Sequence, residues 1–206
     1  MAEKEAGRRH TRDDVARTAL RLLDDVGLPD VTMRRLAAAL DVQPSALYHH
    51  FPNKQALLAE LADRIVAAPV AVAAPVHDPW AQDRAIPAWE SDVRWEAALL
   101  RDRMLAYRDG AEVVSSTLSM GLGADAALDG LARAVAGGGF DASTTRRAAT
   151  ALLHFVLGHV SHEQQRLQYD SLGVVAPGLA DDDGAAAFAF GVALLVEGLR
   201  ARAPIV

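Results

Sequence analysis

The chain has 206 residues, of which 51% are hydrophobic and 23% charged, and its net charge is −6. It contains no cysteine, which excludes disulfides, thiolate metal sites and cysteine nucleophiles and favours a reducing compartment. The N-terminus lacks the apolar segment of a secretory signal, and no apolar run approaches the roughly 18 residues that span a bilayer, so we expect a cytoplasmic protein without a membrane partner.

Residues 1 to 10 are polar, and we expect them to form a disordered arm. Thr11 with Asp14 three residues later has the spacing of a capping box and predicts a helix start. Apolar residues then recur at helical spacing as far as Gly27, a residue type common just after a helix end. This first helix is expected to support the segment that follows.

Residues 32 to 54 predict two short helices joined by a tight turn. Thr32 is a suitable N-cap, and Pro44 fits the first turn of the second helix because that position needs no backbone N–H. Leu47 and Phe51 lie four residues apart and are expected to point inward. The outer face then carries side chains that suit a DNA groove, namely Gln43, Ser45, Ala46, Tyr48, His49 and His50.

The run LAAALDVQPSALYHHFPNKQALL resembles the helix-turn-helix signature of TetR-family transcriptional regulators. It departs from that signature at Asp41, which replaces the usual turn glycine; aspartate tolerates the left-handed conformation better than most residues do. The resemblance implies base-edge contacts by Arg34 and Gln43. It implies phosphate contacts by Thr32, Tyr48, His50 and Lys54, while His49 suits either role and Pro44, Ser45 and Ala46 belong to the helix that enters the groove.

Charge is distributed unevenly along the chain. Residues 1 to 64 hold ten Lys/Arg and ten Asp/Glu, a net of zero, whereas residues 65 to 206 hold 11 and 17, a net of −6. Within residues 8 to 54 the count is eight basic to six acidic. The mildly basic region therefore coincides with the helix-turn-helix, as binding to phosphates requires.

We assign a DNA-binding domain to residues 1 to 66, a connector and hinge to residues 67 to 90, and a second domain to residues 91 to 206. Prolines in AAPVAVAAPVHDP prevent a regular helix in the hinge. Helical periodicity then recurs, most clearly in a long segment at 143 to 168 and a last one at 184 to 202. Because no alternation typical of a sheet is present, the fold class is expected to be all-α.

The C-terminal half resembles the ligand-binding domain of the tetracycline repressor subgroup, through YRDGAEVVSSTL, LLHFVLGHVSHEQ and FAFGVALLVEGL. The resemblance implies a homodimer in which 143 to 168 and 184 to 202 of each subunit form a four-helix bundle, with a ligand cavity in each core. The subgroup's magnesium-chelating histidine is replaced by Val114, a second drug-contacting histidine by a residue at or near Val70, and a basic-proline pair by Leu118-Ser119.

We therefore expect a small, largely apolar effector rather than a chelated tetracycline. The candidate contacts, chosen by helix face and by the resemblance, are Trp95, Leu99, Met104, Val114, Thr117, Leu118, Phe140, Phe155 and His159.

His159, His162 and Glu163 are spaced to share one helix face and form the most metal-like cluster. A solvated or core-satisfied set is the favoured interpretation because no second helix offers a further ligand, so we expect no metal and no cofactor; a role of His162 or Glu163 in lining the pocket stays open. No GxSxG, HExxH or P-loop motif is present, and we expect no enzyme.

The sequence thus predicts a homodimeric, ligand-responsive repressor that leaves a palindromic double-stranded DNA operator when its effector binds. The neutral charge of residues 1 to 64 keeps an alternative open: a protein of the same fold that sequesters a small molecule or a partner protein and binds no operator.

Overall fold

The computed structural model describes residues 10 to 68, 86 to 174 and 184 to 202. These residues form helices joined by short turns, with no strand among them, so the all-α prediction is confirmed. The predicted arm apart from His10, most of the predicted hinge with Val70, and the last four residues lie outside the described residues.

Residues 10 to 68 contain α1 (Arg12–Val26), α2 (Met33–Ala39), α3 (Pro44–Leu47) and α4 (Lys54–Ala67), with a single 3₁₀ turn at Leu28–Asp30 between α1 and α2. Apolar residues at helical spacing face a shared interior. The residues with no exposed surface there include Val15, Leu23, Leu36, Phe51, Leu57, Leu61 and Ile65. The one-turn helix α3 packs on α2 and lies at the surface of this region.

Side-chain caps fix where these helices begin. Thr11 and Asp14 form the predicted capping box at the start of α1. The Thr32 hydroxyl accepts the Arg35 N–H at the start of α2, and the Asn53 side chain accepts the Ala56 N–H at the start of α4. Each cap satisfies a backbone donor that the first helical turn leaves unpaired.

The second region contains α5 (Ala88–Leu105), α6 (Gly110–Met120), α7 (Asp125–Ala136), α8 (Ala142–Ser171) and α9 (Gly184–Arg200). Helix α8 begins at its Asp141 cap and extends beyond the predicted end at 168, whereas α9 ends at Arg200. Helix α7 packs on α5 and α8, and α9 packs on the same two helices. None of the helices in the described ranges is long and apolar enough to cross a bilayer.

Helix α6 makes the most extensive contact between the two regions, beside smaller contacts that α5 and α7 make with α4. It packs against α4 on one side and α8 on the other. Its buried residues Val113, Val114 and Thr117 have no exposed surface. Helix α6 is therefore in direct contact with α4, the last helix of the N-terminal region.

Candidate nucleic-acid interface and ligand-binding core

The turn between α2 and α3 has the backbone that the sequence predicts. Asp41 adopts φ 54°, in the left-handed region. The Asp41 and Val42 N–H groups donate to the carbonyls of Ala38 and Ala37 at 3.2 and 3.0 Å. The turn therefore closes with an aspartate at the position where a glycine is usual.

Helix α3 presents a polar outer face on a buried support. Leu47 and Phe51 are buried, with 1% and 0% of their surface exposed to solvent. The exposed side chains around them are Gln43, Ser45, Ala46, Tyr48 and His49, while Pro44 and His50 are half-buried. The structure thus brings these residues together on one surface, on which Tyr48 is half exposed.

The other predicted DNA contacts flank this surface. Thr32 and Arg34 lie exposed at the start of α2. Arg35, beside Arg34, is paired with Asp30 at 2.8 Å, whereas Arg34 has no ion pair in the described part of the chain. Lys54 is half-buried, and its Nζ lies 3.5 Å from the Leu28 carbonyl oxygen.

An ionic network connects α1, α4 and the end of α3. Arg12 donates to the His50 carbonyl at 2.9 Å and through two nitrogens to Glu60. Arg64 joins the same Glu60 to Asp13. Burial raises the pKa of Glu60, but the hydrogen bonds from Arg12 and Arg64 outweigh burial, so that the pKa is lowered overall.

Two hydrogen bonds tie the α5–α6 corner to the N-terminal helices. Asp109 adopts φ 55°, and its Oδ2 accepts the Leu28 N–H at 2.7 Å. Asp24 of α1 accepts the Arg108 N–H at 2.9 Å, and burial raises the pKa of that carboxyl. The corner is thus fixed to the segment that follows α1.

A third such bond lies at the far end of α6. Asp63 of α4 accepts the Ala124 N–H at 2.7 Å. Together with the corner at Asp109, it anchors both ends of α6 to the N-terminal region. Sequence reasoning did not identify Asp63 or Asp109 as functional residues, because these contacts join positions 61 and 81 residues apart.

The predicted ligand-contacting residues fall into separate groups. Met104, Val114 and Thr117 are fully buried. The Thr117 hydroxyl is hydrogen-bonded to the carbonyls of Val113 and Val114, so this group presents an essentially apolar surface. Leu99 and Leu118 are half-buried on the same two helices, α5 and α6.

The aromatic members of that set lie elsewhere. Phe140 contacts Trp89 edge to face, with ring centroids 5.4 Å apart. Phe155 and His159 of α8 pack on Phe188 of α9, at 5.7 and 5.3 Å. Trp95 is 43% exposed on the outside of α5.

The three residues of the metal-like cluster have different surroundings. The His159 ring nitrogen is hydrogen-bonded to the Gly184 carbonyl at 3.0 Å. Glu163 accepts two hydrogen bonds from Arg101, at 2.6 and 3.0 Å, and His162 is exposed. Among the residues that the structure describes, no group of His, Asp or Glu side chains is arranged to hold a metal ion.

One buried charge was not anticipated from the sequence. Glu90 is 1% exposed, and neither carboxylate oxygen has a hydrogen-bond partner among the residues that the structure describes. The nearest guanidinium nitrogens belong to Arg94 and Arg200, at 3.8 and 3.9 Å. From the sequence, a carboxylate at the polar start of α5 is expected to lie at the surface. Its burial follows from the packing of α9 against α5, which the sequence alone does not show.

Comparison with known proteins identifies the class of this fold. The family model for bacterial regulatory proteins of the tetR family matches residues 16–61, and the model for the tetracyclin repressor-like C-terminal domain matches residues 85–174. The chain therefore belongs to the TetR family of transcriptional regulators. It is a DNA-binding, ligand-responsive regulator and not an enzyme, as the sequence predicts.

Particular relatives cover almost the whole chain. The tetracycline repressor protein class A from transposon 1721 of Escherichia coli is 34% identical over 206 aligned positions, 93% of this chain and 91% of that protein. The crystal structure of Mycobacterium smegmatis BioQ has a TM-score of 0.78 at 38% identity and covers 93% of this chain and 98% of its own. A structure of BioQ with its double-stranded DNA operator has a TM-score of 0.71 at 35% identity, over 92% and 98% of the two chains.

Proposed function

We propose that the protein is a homodimeric repressor that binds a palindromic operator and is released from it by a small, largely apolar effector. The face of α3 carries the operator half of this proposal. Buried Leu47 and Phe51 hold it in place, while polar side chains of a length that suits base edges stand exposed around Tyr48. The operator-bound structure of the related BioQ supports this use of the fold.

Each side chain on this surface has a role that its chemistry suits. Arg34 and Gln43 are proposed to read base edges, since both side chains are exposed and each is able to form paired hydrogen bonds. Ala46 is small enough to lie against a thymine methyl. Thr32, Tyr48, His50 and Lys54 are proposed to contact phosphates and fix the register, with His49 suited to either target.

The dimer half of the proposal rests on an exposed apolar stripe. Phe190 and Leu194 of α9 lie four residues apart and are 67% and 54% exposed, so they share one helix face. On α8, the space above Gly158 is open, which permits a close approach of a second helix. We propose that residues 143 to 168 and 184 to 202 of two subunits meet here.

The effector half rests on the interior around α6. Met104, Val114 and Thr117 offer no free polar group there, and a valine stands where the tetracycline repressors carry their magnesium-chelating histidine. An apolar molecule bound beside these residues displaces α6, and α6 packs on α4. A shift of α4 changes the separation of the two copies of α3, which has to match the roughly 34 to 36 Å between successive major grooves.

A selection of operator DNA followed by titration tests this proposal. We place the protein in the cytoplasm, together with its DNA. In the experiment it is incubated with fragments of the native genome, and the bound fragments are sequenced. Arg34→Ala combined with Tyr48→Ala is expected to weaken binding to the selected DNA, at fixed salt, by at least about tenfold, given that one good base contact contributes about 1–3 kcal/mol. Arg133→Ala, on an exposed position of α7, is the charge-matched control.

Two results would contradict the proposal. Unchanged affinity of the double variant would remove the assigned interface. Failure of the wild-type protein to enrich any sequence would favour the alternative, a protein that sequesters a small molecule or partner protein.

A further inference from the structure

We propose that Arg12, the first residue of α1, is a positioning residue for operator recognition: it fixes the C-terminal end of α3 and does not itself contact DNA. This inference rests on the operator binding proposed above. It assigns a function to the network of Arg12, Glu60, Arg64 and Asp13, none of which belongs to the predicted DNA contacts.

Helix α3 needs external support because it consists of four residues. One helical turn has too few internal hydrogen bonds to hold its own orientation. Its N-terminal end is fixed by the turn through Asp41 and Val42. Its C-terminal end continues through Tyr48 and His49 to His50, whose N–H donates to the Leu47 carbonyl at 2.9 Å.

Arg12 contacts this C-terminal end in two ways. Its Nη1 donates to the His50 carbonyl oxygen at 2.9 Å, where a cation is favoured by the partial negative charge at a helix end. Its guanidinium carbon lies 4.3 Å from the centroid of the Phe51 ring, a cation–π distance. The same side chain therefore holds the backbone after Tyr48 and His49 and the buried aromatic residue that supports them.

Arg12 is in turn held in place from α4. Its Nε and Nη2 donate to Glu60 Oε2 at 3.1 and 2.8 Å. The other oxygen of Glu60 accepts from Arg64 Nε at 2.9 Å, and Arg64 Nη1 donates to Asp13 at 2.7 Å. The Arg12 guanidinium plane is thus fixed from two sides, and three of its five N–H groups, one on each nitrogen, donate within the protein.

This arrangement distinguishes positioning from direct phosphate binding. A lysine at position 12 keeps the positive charge but has no planar fork with which to bind Glu60 and the His50 carbonyl together. Loss of the fork lets α3 tilt, and tilting moves Gln43 and Tyr48 relative to the base edges. A phosphate contact, by contrast, requires only the charge.

The first test compares Arg12→Lys and Arg12→Ala with Arg17→Ala on the selected operator. Arg17 is a matched control because it lies on the same helix, is 61% exposed and is paired with Asp13 and Asp14. Arg12→Lys keeps the charge and is expected to weaken operator binding about tenfold, equivalent to ~1.4 kcal/mol, with binding to unrelated DNA and the slope of affinity against salt unchanged. Arg12→Ala and Arg17→Ala remove the same charge and are expected to weaken binding to unrelated DNA equally. Operator binding is expected to fall about tenfold further in Arg12→Ala than in Arg17→Ala.

The second test uses Glu60→Gln. Removal of a negative charge from a DNA-binding domain ordinarily strengthens binding to DNA. Because Glu60 holds Arg12 in place, we expect Glu60→Gln to weaken operator binding instead, while the variant stays folded at the temperature of the binding assay. A melting curve that places the unfolding transition well above that temperature shows that loss of folding does not account for the result.

Several outcomes would overturn the inference. If Arg12→Lys restores affinity that Arg12→Ala loses, and Arg12→Ala makes the salt slope shallower by about one, Arg12 contacts a phosphate. Unchanged operator affinity in both Arg12 variants, or tighter binding by Glu60→Gln, would also refute the positioning role. A wild-type protein that selects no operator would instead refute the proposed function.

Discussion

The hydrogen bond between Asp109 and Leu28 is expected to give an unusual order of stability among substitutions at position 109. Asp109 is held at φ 55° while its carboxylate accepts the Leu28 N–H at 2.7 Å. Alanine loses the bond and also places an unfavoured Cβ in the left-handed region. Glycine loses the bond but adopts that backbone freely, and asparagine keeps an acceptor oxygen and tolerates the conformation.

The magnitudes follow from these two contributions. A hydrogen bond to a charged group contributes about 1.5–3 kcal/mol to the free energy of unfolding. The lower value applies here because the site is partly exposed. A left-handed conformation costs an ordinary residue roughly 1–2 kcal/mol. We therefore expect Asp109→Ala to lower the free energy of unfolding by about 2–3 kcal/mol, and Asp109→Gly and Asp109→Asn by about 1 kcal/mol each.

Urea unfolding followed by far-UV circular dichroism measures this series. Protein concentration has to be identical throughout, because the proposed dimerisation would add to apparent stability. In the middle of a helix glycine is less favourable than alanine by about 1 kcal/mol, and the expected order here is the reverse. Equal stability of the alanine and glycine variants, or a more stable alanine variant, would refute the backbone assignment at Asp109.

Three further predictions concern packing, assembly and pH. A Cβ at Gly110 would meet the backbone carbonyl of Met104, so Gly110→Ala is expected to lower the free energy of unfolding by more than about 2 kcal/mol in urea titrations; a smaller loss would show that the α5–α6 corner relaxes easily. Phe190→Glu with Leu194→Glu is expected to give monomers in sedimentation velocity at micromolar concentration, with operator affinity lost, and a persistent dimer would contradict the proposed interface. The lowered pKa of Glu60 means that its ion pairs add stability above the ordinary pKa of 4.5 and lose it as the pH falls through the lower, folded-state value; melting temperatures between pH 3 and 5 are therefore expected to depend less on pH in Glu60→Gln than in the wild type.

Much of the N-terminal region was predictable because its determinants are local. Caps at Thr11, Thr32 and Asn53, the proline at the start of α3 and the spacing of Leu47 and Phe51 act within a few residues of one another. Asp41 was predictable as a left-handed residue because it occupies the place of a turn glycine. Asp109 precedes a glycine in the α5–α6 corner and does not occupy such a place.

Local periodicity alone does not predict which residues are buried between helices that are distant in the sequence. On α5 the buried stripe runs through Val93, Ala97, Leu100 and Met104, and Trp95 lies two residues after Val93, about 200° further round the helix. Trp95 was chosen by helix face and by the resemblance, and the structure leaves it 43% exposed. Burial of Glu90 and the ion pair of Arg101 with Glu163 depend on which helices become neighbours, and no local pattern encodes that.

Footprinting of the selected operator with hydroxyl radicals tests the central claim most directly. Two subunits that read DNA through Gln43 to His50 are expected to protect two patches related by two-fold symmetry, centred roughly 34 to 36 Å apart, which is one turn of B-DNA. Protection is expected to disappear in the Arg34→Ala, Tyr48→Ala double variant. A single unsymmetrical patch, or protection that the double variant retains, would contradict a homodimeric repressor that reads its operator through α3.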